Sequence, residues 1–134
     1  MEFLLSIHSL VRWVIVVAAV VAALKFLIGW LRQSEFTGMD RGLSAAFTGL
    51  IDLQALLGLT FLIGDGLSGA GFLGYRLDHG FIMIVAMAVA HLSARWKNAE
   101  AKIRFRNSFF IIVAVAVLVF VGVSLLPMNR WAIN

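Results

Sequence analysis

The stretch FLLSIHSLVRWVIVVAAVVAALKFLIGWL, Phe3–Leu31, decides the class of this chain. Its only ionisable side chains are His8, Arg12 and Lys25; the rest is apolar on every helical face apart from two serines. A helix crosses the hydrocarbon core of a bilayer with about 20 residues, so this one spans it with length left to tilt or project. A barrel strand would alternate with period two, and this run does not. It is also too long for the apolar part of a signal peptide, and no small-residue cleavage site follows it. The expectation is a retained first transmembrane helix.

Three further apolar segments follow, roughly 43–63, 78–94 and 109–126, with Pro127 placed to stop the last. Composition agrees: 62% of residues are hydrophobic, 13% are charged, and mean hydropathy is +0.99. That is too apolar for a water-soluble domain of this size. The predicted fold is therefore all-α: one integral membrane four-helix bundle, 1–134, running up-down-up-down. With no cysteine, disulfides, thiolate metal sites and covalent c-type haem attachment are excluded. The segment between Gly64 and Arg76 holds five glycines but lacks the Gly-Lys-Ser/Thr ending of a phosphate loop. It reads as a plain flexible connection.

The net charge of +4 and pI near 10.4 do not indicate nucleic-acid binding, because the basic residues lie between apolar spans. There they set topology. Eight of them fall on one side: Lys25, Arg32, Arg41, Arg95, Lys97, Lys102, Arg104 and Arg106. Only Arg12, Arg76 and Arg130 fall on the other. The positive-inside rule puts both basic connections in the cytoplasm and both termini on the outer, periplasmic side of a bacterial inner membrane. Trp13, Trp30, Trp96 and Trp131 lie near span ends, where interfacial tryptophans sit.

This topology levels two histidines. His8 lies near the outer end of the first helix and His79 near the outer end of the third, within about one turn of the same boundary. An ionisable group at the bilayer centre costs about 2.5 kcal/mol or more, so such groups tend to mark function. Two neutral imidazoles facing across a bundle suit bis-His coordination of an electron-transfer haem. Arg12 shares the face of His8 one turn deeper, and its guanidinium matches a haem propionate. Ala19 and Ala22 continue that stripe, and Met83, Ala86 and Ala90 continue that of His79. Small residues leave room for a macrocycle, and they equally let bare helices pack closely. Asp78 has two readings: orienting an imidazole, or pairing with Arg76.

His91 lies twelve residues beyond His79, about 18 Å deeper and off its narrow stripe. With three histidines in all, one subunit holds at most one bis-His site, unless a haem is shared between two copies. Asp52, inside the second span with Thr48 and Ala55 on its face, needs a partner or a proton. Lys25 and His91 are at comparable depth. The possible second polar site, Asp52, His91 and Lys25, is open to two readings: a proton relay or quinone contact, or an Asp52–Lys25 structural pair.

The stretch Ile7-His8-Ser9-Leu10-Val11-Arg12-Trp13 resembles the opening helix of a family of small bacterial membrane proteins labelled cytochrome b-like. Similarity continues in Gly29-Trp30-Leu31, Glu35-Phe36-Thr37, Leu53-Gln54, Leu57-Gly58 and Asp78-His79. The family pattern has a histidine where this chain has Asp52, and often none at His91. What the resemblance implies is therefore haem b held by His8 and His79, and electron transfer rather than a stand-alone enzyme. Quinone or other membrane redox subunits would be partners in the bilayer, with a homo-oligomer as an alternative assembly. The competing reading is a haem-free structural or assembly subunit of a larger membrane complex. A metal transporter is weaker, because Met39, Met83, Met87 and Met128 are scattered. No hydrolytic constellation or His-Glu-x-x-His motif is present.

Overall fold

The computed structural model describes residues 1–131. Helix α1 spans Glu2–Leu31, α2 Gly38–Asp65, α3 Gly74–His91 and α4 Ala101–Ser124. A π-helical turn, Gly66–Ala70, extends α2, and a 3-10 turn, Leu92–Trp96, extends α3. Among the described residues there is no strand. All four helices are long and apolar enough to cross a membrane. Helix α1 packs on α2 and α4, and α3 packs on the same two, so the four close into a ring.

Three helices begin earlier than hydropathy places them, α3 among them at Gly74 rather than 78. Helix α2 starts at Gly38, before Leu43, because Thr37 caps it: the Thr37 backbone N–H donates to Asp40 Oδ2 at 2.9 Å, and the Thr37 hydroxyl donates to the same oxygen at 3.1 Å. Helix α4 starts at Ala101, before Phe109. Its basic first turns are polar on one side only, since Phe105 among them is 1% exposed. At its far end α4 stops at Ser124, short of 126, because Pro127 disfavours helix in the residue before it. The glycine-rich connection is mostly helical and turns back at Gly69 and Gly71, whose φ values of 113° and 71° favour glycine.

The core is narrow. Ala22, Phe26, Ala86, Ala90, Phe105 and Val115 are almost wholly buried. At one end of the bundle Phe26, Phe36 and Phe105 stack, with ring centroids 4.9–6.2 Å apart. Gly29 makes room for this cluster, since a Cβ there would fall 2.5 Å from Phe105 Cε1. Outside the core, Leu10, Val17, Leu56, Phe81 and Phe120 are each more than half exposed, an apolar exterior matched to lipid rather than water. The alanine stripes divide by role. Ala19, Ala22 and Ala90 belong to the packed core, while Ala86 also borders the cavity described next.

Candidate cofactor site

The four helices leave a cleft at the end of the bundle away from the phenylalanine cluster, enclosing about 1320 Å³ of non-atom space with its open mouth included. Both histidines line it, one from α1 and one from α3, with ring centroids 6.4 Å apart and planes at 81°. A metal bound by two imidazoles at about 2 Å each holds the two nitrogens about 4 Å apart and the ring centroids roughly 6 Å apart. The sequence-predicted pair is therefore brought together in one cleft, at a centroid separation of that order.

The two rings are held differently. His79 Nδ1 lies 2.8 Å from the Gly122 carbonyl of α4. A carbonyl oxygen only accepts, so Nδ1 carries the proton and Nε2 keeps its lone pair. Histidines that hold a metal commonly donate their other ring N–H to a carbonyl in this way. Gly122 is tight here, because a Cβ would lie 3.5 Å from His79 Nδ1 and would overlap Met83. His8 rests against α2, where a Cβ on Gly58 would lie 2.9 Å from its Cε1. Gln54 Nε2 donates to the His8 backbone carbonyl at 2.9 Å and is 3.4 Å from ring Nε2, a long contact. His8 Nδ1 is buried with no partner.

Arg12 also lines the cleft, its guanidinium carbon 5.6 Å from the Trp13 ring and 5.5 Å from that of Trp131. Its Nε, like Gln54 Oε1, is buried without a hydrogen bond. Unsatisfied buried polar atoms cost about 1–3 kcal/mol each. Three such atoms, one of them on the His8 ring itself, belong to residues that line this one cleft. Arg76 and Arg130 also border the space, and among the described residues no carboxylate does, so the site suits a flat apolar group with acidic substituents. The residues present fit a haem: two neutral nitrogen donors, arginines for propionates, and an apolar wall.

Several expectations are corrected. Arg76 pairs with Asp65 at the end of α2, not with Asp78, which is exposed. Lys25 pairs with Asp40 at 2.7 Å and not with Asp52. The mistake follows from the helix boundary: with α2 starting at Leu43, Asp40 lies in a loop, whereas its true place in the first turn faces Lys25. Asp52 meets His91 instead, Oδ1 to Nε2 at 2.8 Å. The second polar site thus keeps Asp52 and His91 and loses Lys25. Among the described residues no group of three or more His, Asp or Glu side chains could hold a bare metal ion.

Gln54, Gly58, Gly122 and Arg130 were not anticipated in the site. The spacing of Gln54 and Gly58, one turn apart, places an amide and a gap on one face of α2, a signal the sequence does carry. The carbonyl of Gly122 leaves no such trace. No family profile, curated protein or solved structure matches the chain.

Proposed function

We propose that this chain is a b-type haem protein of the bacterial inner membrane, with one haem between His8 and His79 near the outer face and a role in electron transfer. The observation that carries the reading is the 6.4 Å separation of two imidazoles from different helices in a cleft that no carboxylate among the described residues lines. In this reading Gly122 holds His79 in the ligating tautomer, Gly58 leaves space for His8, and Arg12 binds a propionate. When bound, the haem supplies a one-electron carrier; quinone or a membrane redox subunit is the exchange partner. Both basic connections face the cytoplasm and both termini the periplasm, in an up-down-up-down bundle.

One observation favours a second reading. The His79–Gly122 and Gln54–His8 contacts tie α3 to α4 and α1 to α2 without any cofactor. In that reading the chain is a haem-free structural or assembly subunit. Absorption spectra of protein expressed in haem-replete cells separate the two. The haem reading expects a low-spin spectrum that His8→Ala and His79→Ala each abolish and His91→Ala leaves intact. An absent Soret band in folded wild-type protein would sink it.

A further inference from the structure

At the opposite end of the bundle a second cleft opens between α2, the 3-10 turn after α3, and α4, with about 890 Å³ of non-atom space when the adjoining open solvent is included. Arg41, Lys97 and Arg104 line it, one cation from α2, one from just past the 3-10 turn, and one from α4. Among the described residues the ion pairs are Lys25–Asp40, Arg76–Asp65 and His91–Asp52, so none of these three cations has a carboxylate partner.

The buried carboxylate beside Arg41 in sequence cannot serve them. Asp40 is 1% exposed, and both oxygens are committed, Oδ1 to Lys25 Nζ and Oδ2 to the backbone N–H and hydroxyl of Thr37. Asp52 also borders the cleft, but it is bound by His91 and lies about 16 Å along α2 from Arg41. Arg104 is held in place, its guanidinium carbon 4.0 Å over the Phe36 ring. Ser108, 8% exposed, adds a hydroxyl to the wall. Exposed Leu53 and Leu92 lie beside Asp52 and His91 in sequence and continue the surface as hydrocarbon.

We propose that this cleft binds the phosphate of an anionic phospholipid headgroup. Three convergent, unpartnered cations recognise the phosphate, and the adjoining apolar helix faces take the acyl chains. Basic pockets between transmembrane helices are suited to such headgroups. Of the other basic residues at this end, Lys25 is paired with Asp40, and Arg32, Arg95, Lys102 and Arg106 lie outside the cleft and act only through general surface charge.

The test is titration of delipidated protein in a neutral detergent, with bound lipid counted by native mass spectrometry. Phosphatidylglycerol is expected to bind and phosphatidylcholine to bind much more weakly. Each basic contact is worth about fivefold in affinity, so the triple variant Arg41→Gln/Lys97→Gln/Arg104→Gln should bind phosphatidylglycerol about a hundredfold more weakly. The variant Arg32→Gln/Arg95→Gln/Arg106→Gln should bind as wild type does. Lys97→Gln alone, at an exposed position that does not risk the fold, should lose about fivefold. Equal binding of the two lipids, an unchanged Lys97→Gln, or an equal loss in the control variant would overturn the proposal. So would competition by soluble glycerol phosphate at the concentration where the lipid saturates, which would make the ligand a free phosphate ester.

Discussion

Replacing Lys25 and Asp40, singly and together, measures the main electrostatic tie between α1 and α2. Asp40 is almost fully buried, while the Lys25 side chain is 39% exposed, so solvent screens one partner only. Lys25→Met leaves a buried carboxylate with two hydrogen bonds, both from Thr37. A full buried-pair loss is about 3–5 kcal/mol, and screening at the lysine end brings the expectation down to roughly 2 kcal/mol. Asp40→Asn should cost about the same, since it weakens the Thr37 cap as well. The double variant should cost clearly less than the sum, with a coupling of about 1–2 kcal/mol. Unfolding in mixed micelles with increasing dodecyl sulfate, followed by circular dichroism, reads these values. The control is Lys25→Met with Asp52→Asn, which should add within about 0.5 kcal/mol because the two residues share no partner. Strong coupling of Lys25 to Asp52, or none to Asp40, would refute the assignment of partners.

Three further outcomes follow from close contacts. Gly29→Leu should destabilise the bundle by about 1–3 kcal/mol through overpacking against Phe105, measured by the same unfolding assay. Gly58→Leu should displace the His8 ring and convert a low-spin haem spectrum to high-spin, or lose haem, while circular dichroism still reports a helical protein. Arg12→Gln should keep the low-spin spectrum and weaken haem retention by about tenfold, the scale of one charge-assisted hydrogen bond, in a transfer assay to apomyoglobin; unchanged retention would remove Arg12 from the site.

Much of the architecture is legible in residue order, because lipid imposes it. Four long apolar runs have few folded alternatives, and their existence follows from hydropathy. Their ends do not, because a hydropathy scale treats Asp40 and Arg104 as loop, although a Thr37 cap and a buried Phe105 make both helical. That boundary error also misassigned the partner of Lys25. The His8–His79 pair was legible from depth alone, since the basic connections level the two spans and place the rings in one layer. What orients those rings was not. The Gly122 carbonyl is a backbone group without a side-chain signature, and the space at Gly58 exists only once α1 lies against α2. Asp52 and His91 were expected in one polar region, and their direct contact is a property of how α2 and α3 pack.

The most direct measurement of the central claim is the haem content of the purified, folded chain, by pyridine haemochrome absorbance against protein mass, with electron paramagnetic resonance of the oxidised form. The account predicts one haem b per chain and a low-spin ferric signal that His8→Ala and His79→Ala each remove. Folded protein from haem-replete cells with no haem, or with one haem per two chains that depends on His91, would contradict it.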